Sequence, residues 1–324
     1  MNMKHKRIVI HIGAHKTGTT SVQQFFARHR AALILRGAHY PESCRHHFAQ
    51  HRLAFALKGR RVPGSADVPD FATEIESLRA EIGRAGDATV FVSSEELFSL
   101  PREKVELLGA ALQGLQVQIL AVLRRLTNCS RRSTTRKSGH AQSLALRHVG
   151  FLSDPSKLSP DLRFDFALDC WAAVFGREAM VVRCLEQYPN VLELVAAALG
   201  IDLAGLDRNL PRVNRSVSVR TAELIRLGKK AGLPIEQLRR LGELGEELFG
   251  EAGRSESLLS PQERMQVLGN ADQMTEQVFR SYVGTENIYA SSRFNAEGFP
   301  ARTALDSGDL MRVIVELLAL APER

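Results

Sequence analysis

The sequence predicts an α/β fold: a three-layer parallel sheet flanked by helices, followed by a mainly helical C-terminal part. Three observations predict it. Short β-branched runs alternate with stretches of helical periodicity, which argues for a parallel sheet with right-handed crossovers. Three of those runs end in polar or basic residues, at Gly13–Thr20, Ser93–Glu96 and Arg124–Arg125. In this fold class ligands bind beyond the carboxyl ends of the strands, so the three ends are expected to converge on one site. Finally, a glycine-containing loop separates the first strand from the first helix.

The elements follow in order. Arg7–Gly13 (RIVIHIG) is a buried strand ending in glycine. Thr19–Leu35 reads as a helix through Val22, Phe25, Phe26, Ala32 and Leu33, stopped by Arg36–Gly37 and Pro41. His46–Lys58 reads as a second helix, Arg60–Pro69 as a loop and Phe71–Arg84 as a helix. Ala88–Ser93 is the second strand, Glu103–Gln113 a helix and Gln116–Leu123 the third strand. Arg163–Phe175 is helical, Met180–Cys184 is the fourth strand, and Val191–Leu199 is a helix closed by Gly200. From about Arg220 onward, helices and loops dominate. We expect a single domain with a core over about 1–205 and a helical extension over about 206–324; its last helices are expected to shape an acceptor cleft or a homodimer contact.

With 324 residues, 44% hydrophobic and 24% charged, the chain can build a substantial core. The net charge of +7 favours anionic ligands without choosing among nucleotide, nucleic acid and acidic glycan. No apolar run reaches the roughly 18 residues of a membrane helix, and the short apolar run before Gly13 is not that of a signal peptide. Cys44, Cys129, Cys170 and Cys184 show no paired spacing. They read as free thiols in a reducing cytoplasm rather than a disulfide or zinc set.

The loop Gly13-Ala-His-Lys-Thr-Gly-Thr-Thr20 carries the functional signal. A phosphate needs many donors at short range, and a loop feeding a helix supplies backbone N–H groups and the positive end of the dipole. Gly18 lets the backbone approach the anion, and Thr19 and Thr20 add hydroxyls. The pattern nearly satisfies the ATPase loop G-x-x-x-x-G-K-[ST], with Gly13, Gly18 and Thr20 in register. Position 19 is threonine, however, and the lysine stands at position 16. That placement disfavours an ordinary ATP or GTP site.

HIGAHKTGTTSVQ resembles the 5′-phosphosulfate loop of sulfotransferases that use 3′-phosphoadenosine 5′-phosphosulfate (PAPS), and is closest to their bacterial branch. VFVSSEEL is similar to the family's second strand and VLRR to its third. VVRCLEQYPNVLELVAAALGID and NRSVSVRTAELIRL also resemble bacterial members. The likeness covers most of the chain, strongest at the loop and weakest in the last hundred or so residues. It implies a P-loop NTPase-like sheet, PAPS as co-substrate with PAP as product, no metal, and a hydroxyl or amine acceptor, possibly on a glycan.

The resemblance implies donor contacts from Gly13, His15, Lys16, Thr17, Gly18, Thr19, Thr20 and Ser21. Lys16 would meet the bridging oxygen of the leaving phosphate. Glu95 and His51 are the candidate general bases, with His46 and His47 as weaker options. Arg124 or Arg125 would bind the 3′-phosphate; Arg125 and Ser133 keep the family's spacing of eight residues. Arginine suits this task because its planar fork meets two oxygens at once.

Leu126–Arg136 (LTNCSRRSTTR) departs from the family, which carries an acidic and aromatic helix there. Codons for Asp-Glu-Leu-Leu-Ala-Ser-Phe-Tyr-Asn-Glu, read one base out of frame, encode Thr127–Arg136 as it stands. We read the segment as a local frameshift restored by Lys137, which would make Arg124 the family's arginine and the Ser133 match accidental. Resequencing the locus tests whether the shift lies in the gene or in its reading. RRSTTRK also reads as a basic patch, but no nucleic-acid module accompanies it. The alternatives to a sulfotransferase are a P-loop nucleotide kinase or phosphotransferase, and a nucleotide-binding relative impaired in catalysis.

Overall fold

A computed structural model describes residues 6–14, 17–126, 160–209, 218–250, 259–295 and 305–319. These fall into two compact units. The first lies within Met1–Arg125, Ser159–Arg212 and Gln273–Asn287, the second within Leu126–Leu158, Val213–Asp272 and Ile288–Arg324.

The first unit is α/β, as the alternating pattern predicts. Its strands are β1 (Arg7–His11), β2 (Ala38–His39), β3 (Thr89–Ser93), β4 (Gln116–Leu123) and β5 (Met180–Cys184). All pair in parallel, in the order β2-β3-β1-β4-β5. β1 is therefore central, and its end is flanked by the ends of β3 and β4. His11 is in register with Ser93 on one side and Leu120 on the other. The three polar strand ends thus meet, as the fold class requires.

Side-chain alternation divides the sheet between two helical layers. Val9, Phe91, Leu120 and Val122 point to one face, where they pack with Val22, Phe25 and Phe26 of α1 (Thr19–Arg28) and with the apolar residues of α7 (Val191–Leu199). Phe26 and Phe91 rings lie 4.6 Å apart at the centre of this layer. α5 (Arg102–Ala111) and α6 (Phe164–Phe175) pack together, and α6 also contacts β4 and β5. α4 (Phe71–Arg84) matches the expected helix residue for residue. Its N-cap is Asp70, whose carboxylate accepts from Thr73 N. β4, β5 and α7 also match their expected bounds.

Several expectations need correction. The helix expected over Thr19–Leu35 is two helices, α1 and α2 (Arg30–Ile34), interrupted at His29 with φ −100° and ψ 17°. The His29 ring tilts against Phe25 and its Nε2–H donates to Asp207 O at 2.9 Å, which holds the break open. The helix expected over His46–Lys58 begins only at His51, giving α3 (His51–Lys58). Gln50 is committed to the sheet instead: its N–H donates to Ser93 O and its Oε1 accepts from Ser93 N. The strand β2 was not expected. Two residues at a sheet edge carry too little pattern to read.

The second unit contains α8 (Val219–Lys230), α9 (Ile235–Phe249) and α11 (Ser307–Ala319), built around Leu224, Leu241, Leu244, Phe249 and Val313. α8 and α9 approach closely at Gly245, where a β-carbon would fall 2.8 Å from Thr221 Cγ2. α10 (Pro261–Val278) contains the boundary between the units, after Asp272. Among the described residues, no helix is long and apolar enough to cross a membrane.

Candidate functional site

The site begins where β1 leaves the sheet. Ile12 N–H donates to Leu120 O and Ala14 N–H to Val122 O, so the chain continues alongside β4 for three residues past His11. It then turns into α1. Thr17 is buried and its Oγ1 donates to Ala14 O at 2.8 Å, closing the turn on itself. Gly18 is the N-cap of α1 in the left-handed region, φ 87° and ψ 16°. Its carbonyl accepts from Ser21 N and Val22 N. The first turn of α1 carries no acidic residue, so the positive end of the helix is not neutralised from within.

Two glycines make the turn possible. A β-carbon at Gly13 would lie 2.6 Å from His11 Nε2 and 3.1 Å from Thr17 Oγ1. At Gly18 it would lie 2.9 Å from Val191 Cγ1, the first residue of α7. Thr19 is buried, while Thr20 is half-buried and Ser21 exposed on the first turn. His15 and Lys16 lie outside the described residues, as does Ser133.

Glu95 and His51, proposed separately as bases, come together. Glu95 opens a short 3-10 turn, Glu95–Leu97, directly after β3, and His51 is the first residue of α3. His51 Nε2 is 3.9 Å from Glu95 Oε1, with their side chains 19% and 18% exposed. The pair is thus shielded yet reachable. Each is held from behind. His51 Nδ1 bonds the fully buried Ser94 Oγ at 2.8 Å, and Glu95 Oε2 accepts from Gln23 Nε2 at 2.8 Å.

Gln23 also reaches Ser93 Oγ at 3.4 Å, and Ser93 Oγ lies 2.9 Å from His11 Nδ1. His11 is fully buried at the end of β1. Burial drives its pKa down to about 4, against an opposing pull from the Glu95 charge. Its imidazole is therefore neutral near pH 7. His46 and His47 stand nearby in the connection between β2 and α3, rings 4.1 Å apart, with His47 at a left-handed φ of 57°. Burial and then the charges of His47, His51 and Arg52 lower the His46 pKa.

Arg124 and Arg125 follow β4, both half-buried, and Arg125 N–H donates to Glu186 Oε1 at 3.0 Å. They stand at the end of the strand adjacent to β1, on the opposite side from Glu95. The strand order thus places a basic end and an acid–histidine pair on either side of the glycine loop.

Sequence reasoning did not assign roles to Gln23, His11, Ser93 or Ser94. The signal was available for Gln23. It is only 3% exposed on a helix face shared with Val22 and Phe26, and a buried amide among apolar neighbours must have polar partners.

No family model matches the chain, and no curated protein matches it. Among solved structures, it is similar to the crystal structure of a sulfotransferase from Alicyclobacillus acidocaldarius. The two share 17% identity over 72% of this chain and 99% of that one, with a TM-score of 0.39.

Proposed function

We propose that this chain is a sulfotransferase that moves a sulfuryl group from PAPS to a hydroxyl or amine, with a carbohydrate or related metabolite as the acceptor class. The observation that carries the reading is the pairing of two features at adjacent strand ends. One is a glycine turn opening an uncapped helix; the other is a shielded carboxylate–imidazole pair. An anion-binding loop beside a proton acceptor is what transfer from a phosphosulfate to a hydroxyl requires.

In this reading the acceptor oxygen attacks sulfur in line. A new S–O bond forms as the bond from sulfur to the bridging phosphate oxygen breaks, and the acceptor proton passes to the Glu95–His51 pair. PAP leaves with the electron pair of the broken bond. The N-terminal turn of α1, with Gly18, Thr19 and Thr20, receives the 5′-phosphate. Lys16 neutralises charge growing on the bridging oxygen, as its place in the loop sequence implies. Arg124 or Arg125 receives the 3′-phosphate. Little covalent work falls to the protein; positioning and charge stabilisation carry the rate. The buried thiols of Cys44, Cys170 and Cys184 suit a reducing compartment, and the proposal places the enzyme in the cytoplasm.

Calorimetry with PAP and with ATP plus magnesium tests the donor. Tight, magnesium-independent binding of PAP supports the reading, and preference for ATP replaces it with a nucleotide kinase or phosphotransferase. An acceptor screen with PAPS tests turnover. PAP binding with no transfer to any acceptor assigns the chain to binding without catalysis. Full sulfate transfer by Lys16→Ala would remove the role given to that lysine.

A further inference from the structure

The hydrogen bonds around Gln23 have a single consistent direction. A carboxylate only accepts, so the Gln23 amide must present its nitrogen to Glu95 Oε2, at 2.8 Å. The second proton of the same NH₂ group faces Ser93 Oγ, at 3.4 Å. Ser93 Oγ in turn lies 2.9 Å from His11 Nδ1, so the chain of contacts runs on to the end of β1. The other ring nitrogen, Nε2, has no hydrogen-bond partner among the described residues, is fully buried, and lies against Gly13 at the start of the loop.

We propose that Gln23 is a positioning residue. It anchors Glu95 Oε2 so that Oε1 faces His51, and through Ser93 and His11 it ties that orientation to the floor of the donor loop. The inference rests on the proposed function for its catalytic meaning, but its geometry does not. Gln23 sits four residues after Thr19 on α1, one helical turn into the helix that the loop opens, so the same rigid element carries both halves of the site.

The anchored pair suits an acceptor hydroxyl. His51 Nε2 and Glu95 Oε1 are 3.9 Å apart. An oxygen at roughly 2.8 Å from each would bond both at an angle of about 90°, close to what a hydroxyl that donates once and accepts once can provide. Rotation of Glu95 about its side-chain bonds would destroy that gap, and the Gln23 amide opposes rotation at Oε2.

The experiment needs no acceptor. Crystal structures of wild type, Gln23→Leu and the longer, unbranched Gln23→Met read the distance between His51 Nε2 and Glu95 Oε1, 3.9 Å here. In both Gln23 variants the Glu95 carboxylate is expected to turn to another rotamer, so that this distance changes by at least about 1 Å. A pair held at the wild-type distance in both variants would overturn the inference. PAP calorimetry on the same samples separates the two readings. Gln23→Met is expected to hold PAP within about 3-fold of wild type, since the loop is intact. Failure of wild type to bind PAP sinks the proposed function while leaving the positioning result to stand or fall on the crystal structures. With an acceptor in hand, kcat should fall at least about 10-fold with KM for PAPS unchanged.

Discussion

Gly18 and Val191 are locked together: a β-carbon on the glycine would fall 2.9 Å from Val191 Cγ1. The first turn of α1 is thereby pressed against the first residue of α7, and the glycine is held at φ 87°. Gly18→Ala is expected to cost about 2 kcal/mol from the left-handed backbone alone, with the Val191 contact adding to it. Val191→Ala in that background should return part of the loss, although the single Val191→Ala change is destabilising on its own. Chemical denaturation of the four proteins measures the coupling; additive losses would mean the contact does not constrain the loop.

His11 makes stability fall with acid. Its pKa is about 4 when folded against 6.5 when unfolded, so between those values only the unfolded chain takes up the proton. Stability is full above about pH 6.5 and declines as pH falls toward 4, by up to about 3 kcal/mol for this group. His11→Asn should flatten the difference in unfolding free energy between pH 7 and pH 5, whatever its absolute stability. A slope equal to wild type would show that His11 does not titrate as a buried neutral group.

Glu81 acts in a lower window. Burial alone would raise its pKa, but the bonds from His39, Ser43 N and Glu42 N outweigh burial and hold it at about 2. A depressed carboxylate stabilises the fold above about pH 4.5 and loses that contribution as pH falls toward 2. Glu81 holds His39 of β2 and the start of the connection to α3. Glu81→Gln is expected to lower stability at pH 7 by about 1–3 kcal/mol, and to flatten the acid limb below pH 4.5. Thermal denaturation across that range checks both.

Arg124 and Arg125 can be told apart by ligand. AMP lacks the 3′-phosphate that PAP carries. The arginine that binds this group, replaced by alanine, should weaken PAP by about 10-fold or more and leave AMP unchanged. Arg125 N–H already donates to Glu186, which fixes its backbone, and the sequence resemblance points to Arg124 if the segment after it is frameshifted. Equal effects on PAP and AMP from both variants would remove the 3′-phosphate role.

The regular elements with strong periodicity were legible in the sequence. β4, β5, α4 and α7 match because a buried strand or an amphipathic helix writes its own period into eight or more residues, or into a short apolar run between breakers. The turn at Gly18 was legible because glycine marks the place where a strand gives way to a helix. What failed did so where tertiary contacts override local preference. His29 breaks an apolar helical pattern because its ring is drawn to Phe25 and Asp207 O, 178 residues away. Gln50 leaves the helical pattern because β3 claims both its backbone and its side chain.

The site divides along the same line. By itself the sequence determined the parallel α/β class, the turn between the first strand and the first helix and the polar character of three strand ends, since these rest on local pattern and residue chemistry. Only the tertiary structure decided that β3 and β4 flank β1, that Glu95 faces His51, and that Gln23 on α1 donates to that carboxylate. Glu95 and Gln23 are 72 residues apart, and no local period relates them. Their bond exists because parallel pairing brings the end of β3 beside the end of β1, directly beneath the first turns of the helix that β1 feeds.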